Sequence, residues 1–114
     1  MVTRKSDQPS ETRQAMRGGE GEVCLTSVSV NVPPKLRLFS KIELPVGASI
    51  GYHVHEGETE LFYFVSGEAE LNDNGEVVRV NAGDSMATFS GQGHSVANVG
   101  SVPLMMIAVI VLDA

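Results

Sequence analysis

Hydrophobic residues recur at every second position from Glu22 to the end of the chain, which is the period of a β-strand. Within residues 36–44, for example, apolar side chains occupy one face and charged side chains occupy most of the other. Proline and glycine divide the chain into short segments: Pro33-Pro34 separates two runs, and Asn74-Gly75 is a strong hairpin signal. No long helical pattern appears after residue 22. Together these features predict an all-β sandwich or barrel.

The first 21 residues have a different composition, and we divide the chain into a flexible N-terminal segment, 1–21, and a barrel domain, 22–114. Polar and charged residues dominate this segment, so residues 1–9 are expected to be disordered. Residues 10–16 are expected to form one or two helical turns with Ser10 as the N-cap. Arg17 either folds back over the barrel mouth as a lid or belongs to a disordered tail.

Charge and composition argue against several classes of partner. The formal net charge of −6 argues against nucleic acid and against anionic membrane surfaces, because both attract basic proteins. The longest apolar run, residues 103–112, is too short to cross a bilayer as a helix. Cys24 is the only cysteine, so it has no partner for an internal disulfide, and residues 1–9 lack the apolar stretch of an export signal. We therefore expect a soluble protein of the reducing cytoplasm.

Two of the predicted strands, residues 61–65 and 104–111, are apolar on both faces. One face can fill the interior of a barrel, but the other also needs cover, and the sequence predicts no helix that could supply it. A homodimer is the economical explanation. The alternative is a strand that is buried on both sides within one chain.

The residues that carry chemistry lie in the segment 53–60, which reads His-Val-His-Glu-Gly-Glu-Thr-Glu. His53 and His55 project from one face of a strand and could bind one metal ion, although histidines near a turn are also common as ordinary polar residues. Glu60 opens the next strand; if it points inward, it lies at the polar rim of an aromatic interior. A buried carboxylate needs a partner, and a divalent cation is a suitable one. The periodicity does not show whether His94, on a distant strand, meets these residues.

Two patterns of glycine and histidine resemble the sequence motifs of the cupin family. The first is Gly47-x5-His53-x-His55-x4-Glu60-x6-Gly67, and the second is Gly83-x5-Phe89-x-Gly91-x2-His94-x3-Asn98. The first pattern matches in full, whereas the second has Phe89 where the family usually has proline, a difference that concerns only a loop conformation. The patterns cover residues 47–98, and the flanking strands agree with the small barrel of single-domain cupins.

This resemblance implies a fold and a metal site. The fold is the cupin double-stranded β-helix, a jelly-roll barrel with a metal ion at its mouth. By analogy the metal ligands are His53, His55, Glu60 and His94, while Asn98 has a structural role. Such a mixed set of nitrogen and oxygen ligands suits a divalent transition metal (Mn, Fe, Ni, Co or Zn) and leaves open positions for a substrate oxygen. The alternative is a metal-free barrel in which the histidines only pack.

The function that the resemblance implies is that of a metal-binding single-domain cupin. We expect an enzyme that holds a small polar organic acid, sugar acid or enediol on the metal, of the decarboxylase, isomerase, lyase or dioxygenase class. The alternative is a non-catalytic module that binds a small molecule or senses a metal. No catalytic residue is identified, and no nucleotide-binding glycine pattern is present.

Other charged residues have simpler interpretations. Arg37 or Lys41 could hold a substrate carboxylate, but a solvated strand face is the more common role of such residues. Glu56 and Glu58 lie in the loop between the predicted ligands and are expected to face solvent, although either could reach a bound ligand.

Overall fold

The computed structural model describes all 114 residues of the chain. It contains ten β-strands and two single turns of 3₁₀ helix, at Lys5–Asp7 and Met16–Gly18. The strands are β1 (Ser10–Gln14), β2 (Glu22–Ser27), β3 (Leu36–Leu44), β4 (Ser49–Val54), β5 (Glu58–Ser66), β6 (Glu68–Asp73), β7 (Glu76–Asn81), β8 (Ser85–Thr88), β9 (Gly93–Asn98) and β10 (Leu104–Leu112). Each helical turn has three residues, far fewer than a bilayer crossing requires.

The strands form two antiparallel sheets with the core between them. One sheet has six strands in the order β1-β2-β3-β10-β5-β8, and the other has four in the order β4-β9-β6-β7. Strand β10 lies between β3 and β5, so the end of the chain returns to the middle of the larger sheet. Both the strand content and this connectivity confirm the predicted all-β jelly-roll fold.

The core is built from the inward-facing residues of both sheets. Burial alternates along the strands, so every second residue of β10 from Leu104 to Ile110 is buried. The largest apolar side chains that are fully enclosed are Val23, Leu44, Phe64, Val96, Leu104 and Met106. This alternation is the same period-two pattern that the sequence displays.

Two predicted structural details are present. Asn74 and Gly75 join β6 to β7 with φ of 50° and 100°, the backbone signs of a tight hairpin turn. Asn98 is buried, and its Nδ2 donates to the backbone carbonyl oxygens of Leu44 and Val102 at 2.9 and 3.0 Å. Asn98 therefore ties the start of one loop to the end of another, which is the structural role expected for it.

Residues 10–14 form a strand, so the predicted helical turns over residues 10–16 are wrong. Strand β1 pairs with β2, from Ser10 opposite Thr26 to Gln14 opposite Glu22. The free edge of β2 offers backbone donors and acceptors, whereas this polar segment has no apolar helix face to bury. The sheet thus begins ahead of the predicted domain boundary at residue 22. The flexibility of residues 1–21 stays a prediction.

The turn that follows β1 packs tightly against β4. Residues 15–19, named here the mouth turn, include Ala15 and Arg17 in left-handed backbone conformations, with φ of 49° and 54°. A Cβ on Gly19 would overlap the backbone of β4, and one on Gly51 would overlap the backbone carbonyl of Arg17. The two glycines therefore allow a close approach of two backbones that side chains would prevent.

Candidate metal centre

Three strands bring together four residues that are distant in the sequence. His53 belongs to β4, His55 follows that strand directly, Glu60 belongs to β5 and His94 belongs to β9. Strand β4 pairs with β9, and their register sets His53 directly opposite His94. His55, Glu60 and His94 are buried, with exposed fractions of 4%, 5% and 1%, and His53 is partly buried. Glu60 points inward, an orientation that the sequence alone leaves open.

The ligand atoms of these four residues converge on one point. Nε2 of His94 lies 3.1 Å from Nε2 of His55 and 3.2 Å from Nε2 of His53. Oε1 of Glu60 lies 3.0 Å from Nε2 of both His55 and His94. All four ligand atoms lie within 4.8 Å of one another. The structure thus adds His94 to the group, which periodicity alone does not.

The opposite ring nitrogen of each histidine has a partner of its own. Nδ1 of His53 lies 2.8 Å from the backbone carbonyl oxygen of Gly51, and Nδ1 of His55 lies 2.8 Å from Oε2 of Glu58. Carbonyl and carboxylate oxygens only accept hydrogen bonds, so in each neutral ring Nδ1 carries the proton. Nε2 is then left with its lone pair directed into the cluster.

His94 is held on two sides. Its Nδ1 lies 2.8 Å from the hydroxyl oxygen of the buried Thr88. The ring of Phe62 stacks on its ring, with centroids 5.0 Å apart and an interplanar angle of 16°. Both contacts fix the plane of the imidazole, so that its Nε2 faces the other two histidines.

The chemistry of this donor set fits a divalent metal. Because His53 and His55 carry their protons on Nδ1, neither can donate a hydrogen bond from Nε2 to another imidazole or to the Glu60 carboxylate. A divalent transition metal accepts all of these lone pairs, and neutral imidazole is an ordinary nitrogen ligand for such an ion. The residues present therefore fit the metal that the sequence motifs imply.

Electrostatics favour the neutral form of His53. Burial lowers the pKa of its imidazole below the ordinary value, while the hydrogen bond to Gly51 raises it. The charges of His94, His55 and Arg17 lower the pKa of His53 further. Because a metal binds the neutral ring, these effects favour the state of His53 that the site requires.

Glu58 does not face solvent, contrary to the prediction from sequence. Only 13% of its side chain is exposed, and it accepts hydrogen bonds from Nε and Nη2 of Arg37 at 3.0 and 2.7 Å. These hydrogen bonds hold the pKa of Glu58 below its usual range, and the same pair raises the pKa of Arg37. Glu58 therefore stays a carboxylate that can orient His55, whereas Glu56 is exposed as predicted.

A cavity of about 330 Å³ opens over the cluster. Buried apolar side chains of both sheets form its inner wall, and the rim carries three exposed arginines: Arg13, Arg17 and Arg37. Arg17 lines the cavity, and its role as a lid stays a prediction. Lys41 does not line it; its Nζ lies 3.4 Å from Oε1 of Glu43.

Sequence comparisons match most of this chain to known proteins. The family model for the cupin domain matches residues 40–110. An oxalate-binding protein of Thermotoga maritima is 43% identical over 114 residues, which covers 98% of this chain and 94% of that relative. The tetracenomycin polyketide synthase protein TcmJ of Streptomyces glaucescens is 30% identical over 91 residues, which covers 80% of this chain and 60% of TcmJ.

Solved structures agree with these matches. The crystal structure of a predicted oxalate decarboxylase from Thermotoga maritima has a TM-score of 0.90 and 42% identity, and covers 98% of this chain and 99% of that one. KdgF from Halomonas has a TM-score of 0.74 at 18% identity, covering 96% of this chain and 94% of that one, and shows the same fold. Since the matched family model spans most of the barrel and a 43% identical relative spans nearly the whole chain, this protein belongs to the cupin family.

Proposed function

We propose that the protein binds one divalent transition metal through His53, His55, Glu60 and His94 and holds a small polar organic acid on that metal. The observation that carries the proposal is the convergence of three Nε2 atoms and one carboxylate oxygen, while every Nδ1 atom has another partner. Mn, Fe, Ni, Co and Zn all suit such a ligand set.

The bound metal would supply a Lewis acid with open positions for oxygen ligands. The chain supplies the rest of the site. Its apolar wall limits the access of water, and Glu58 keeps His55 in the tautomer that directs Nε2 inward. At the rim, the guanidinium of Arg17, which has no carboxylate partner, attracts an anion to a protein whose net charge is −6. The 43% identical relative is an oxalate-binding protein, which supports a small acid as the ligand.

We also propose that the protein is an enzyme that acts on the bound acid. Decarboxylation is the first reaction to test, because the similar crystal structure is that of a predicted oxalate decarboxylase. Isomerase, lyase or dioxygenase reactions on sugar acids or enediols would also begin with substrate oxygens on the metal. One observation favours the alternative of a non-catalytic binding module: apart from Glu60, the only carboxylate that lines the cavity is Glu11, which pairs with Arg13 at 2.7 Å.

Elemental analysis of the purified protein tests the metal site. The wild type and the Glu56→Gln variant should each carry about one transition-metal ion per chain, because Glu56 is exposed and outside the cluster. His94→Ala and Glu60→Gln should lose most of the metal, because each removes one ligand of four. A His94→Ala protein with a full metal complement would overturn the assignment.

A panel of small molecules separates the enzyme from the binding module. Oxalate, keto acids, uronates and flavonols are incubated with metal-loaded protein, and product formation and Tm are both measured. Turnover that His94→Ala abolishes supports an enzyme. A ligand that raises Tm without turnover supports the binding module.

We also propose that two copies associate through the outer face of the larger sheet. Phe39, Val109, Leu61 and Ala87 lie directly opposite one another on β3, β10, β5 and β8, and form what we name the outer apolar row. Phe39 and Leu61 are 37% and 44% exposed. A second copy is the occupant that a self-complementary apolar row favours.

The cytoplasmic location expected from the single cysteine stays a prediction.

A further inference from the structure

Arg17 is the one arginine at the cavity rim that has no carboxylate partner. Arg13 pairs with Glu11 at 2.7 Å, and Arg37 pairs with Glu58 at 2.7 Å. None of the ion pairs in the protein includes Arg17, although it lines the same cavity as the metal cluster. Its guanidinium is therefore available to an anion that enters the cavity.

The backbone holds Arg17 at this position in a strained conformation. Its φ of 54° lies in the left-handed region, which residues other than glycine adopt only where the surrounding structure enforces it. The enforcing contact is the packing of the mouth turn on β4, where the carbonyl of Arg17 lies against Gly51. Gly51 is two residues before His53 and accepts the hydrogen bond from its Nδ1. The start of the Arg17 side chain is thus fixed relative to the metal cluster.

The distribution of charge across the cavity favours a ligand with two anionic groups. The inner end holds the metal cluster, which would take one carboxylate, and the rim holds the free guanidinium. Apolar residues such as Ile50 and Ile110 lie along the wall and offer no polar partner. A second anionic group on the ligand therefore meets a cation only where the arginines are.

We propose that Arg17 determines specificity by binding the anionic group of the ligand that does not contact the metal. A guanidinium can donate two parallel hydrogen bonds to a carboxylate, so the preferred ligand is a small dicarboxylate or similar dianion, not a monocarboxylate. This inference rests on the proposed function, because the metal must hold the other end of the ligand.

Calorimetric titration of Mn²⁺-loaded protein tests the inference. The probes are oxalate, malonate and succinate as dianions and propionate as the monocarboxylate. Metal content is measured first, and it should be the same in the wild type, Arg17→Gln and Arg17→Lys. Arg17→Gln should then weaken the binding of at least one dianion roughly tenfold or more, the loss expected for a charge-assisted contact, and leave propionate unchanged. Arg17→Lys, which keeps the charge, should bind that dianion more tightly than Arg17→Gln.

The control is Arg13→Gln, which removes an arginine from the same rim that is already paired with Glu11. Its affinity for the dianions should equal that of the wild type. The inference is overturned if Arg17→Gln binds every dianion as the wild type does, or if it weakens propionate equally. It is also overturned if Arg13→Gln causes the same loss, or if the metal-loaded wild type binds no dianion. A wild type that takes up no transition metal would instead overturn the proposed function itself.

Discussion

At the scale of single residues, the ring of His55 lies between two carboxylates, with Glu58 at Nδ1 and Glu60 at Nε2. The two carboxylates have different roles because their surroundings differ. The negative charge of Glu58 is balanced by Arg37, which donates two hydrogen bonds to it, whereas Glu60 points into the cluster. We infer that Glu60 is a ligand and that Glu58 is a positioning residue that acts through His55.

The Glu58→Gln variant tests that role. The glutamine amide keeps one oxygen acceptor but loses the negative charge that pairs with Arg37. Its NH2 group can donate a hydrogen bond to Nδ1 of His55, which would move the proton of the neutral ring to Nε2. Metal affinity, measured by competition with a chelator, should fall roughly ten- to a hundredfold, as for other partners of ligating histidines. Glu56→Gln provides the matched comparison in the same loop, and an equal affinity in the two variants would exclude a positioning role.

Part of this centre could be predicted from local sequence. Alternation along β5 turns Glu60 inward, and the same alternation applies to Glu58, two residues earlier. This alternation indicates that Glu58 also points inward, but the preceding Gly57 suggests that Glu58 belongs to a loop. The alignment of His53 with His94 depends on the pairing of β4 with β9, and only the resemblance to a known family supplied it in advance.

At the scale of the elements, β1 shows where local reasoning from sequence fails. Its five residues are all polar and exposed, so the segment carries no hydrophobic pattern of either period. A serine before a polar run favours a helix N-cap, but the decisive partner is the open edge of β2, which comes later in the chain. The strands with an apolar face, such as β3 and β10, were predictable because burial dictates their alternation.

The contact between the mouth turn and β4 makes Gly51→Ala a sharp test at this scale. The added methyl group would overlap the backbone carbonyl of Arg17, so one of the two segments must move. We expect a loss of about 1–3 kcal/mol in the free energy of unfolding, as is usual when a side chain is added where there is no room for it. Limited proteolysis with trypsin should also cleave faster after Arg17, because the displaced turn is easier to bind.

Gly100→Ala serves as the control for that experiment. A Cβ at Gly100 has only ordinary contacts, of 3.4 Å or more, with its neighbours. Its unfolding and its trypsin cleavage should both match the wild type. If Gly51→Ala behaves in the same way, the mouth turn does not pack on β4 in solution.

At the scale of the whole molecule, the outer apolar row leads to a prediction about assembly. Leu61→Glu places a charge in the middle of the proposed interface, where it would have to give up its water. The dimer dissociation constant, measured by analytical ultracentrifugation, should rise roughly a hundredfold or more. Metal content should be unchanged, because Leu61 faces away from the cavity.

Val77→Glu makes the same chemical change on the other sheet. Val77 is 66% exposed on β7, outside the outer apolar row. The assembly of this variant should equal that of the wild type. A wild type that sediments as a monomer at every concentration would refute the proposed interface. Equal dimer dissociation constants for Leu61→Glu and Val77→Glu would also refute it.

The polar first strand has one more consequence, for anyone who shortens this chain. Strand β1 covers the hydrogen-bonding border of β2, and the new border of the sheet carries the exposed charged residues Glu11 and Arg13. Charged side chains on a border strand discourage other polypeptides from adding to the sheet. A shortened chain that begins at residue 22 would expose the edge of β2. If that shortened protein self-associates on expression, the cause would be the missing β1 strand and not a defect in the barrel.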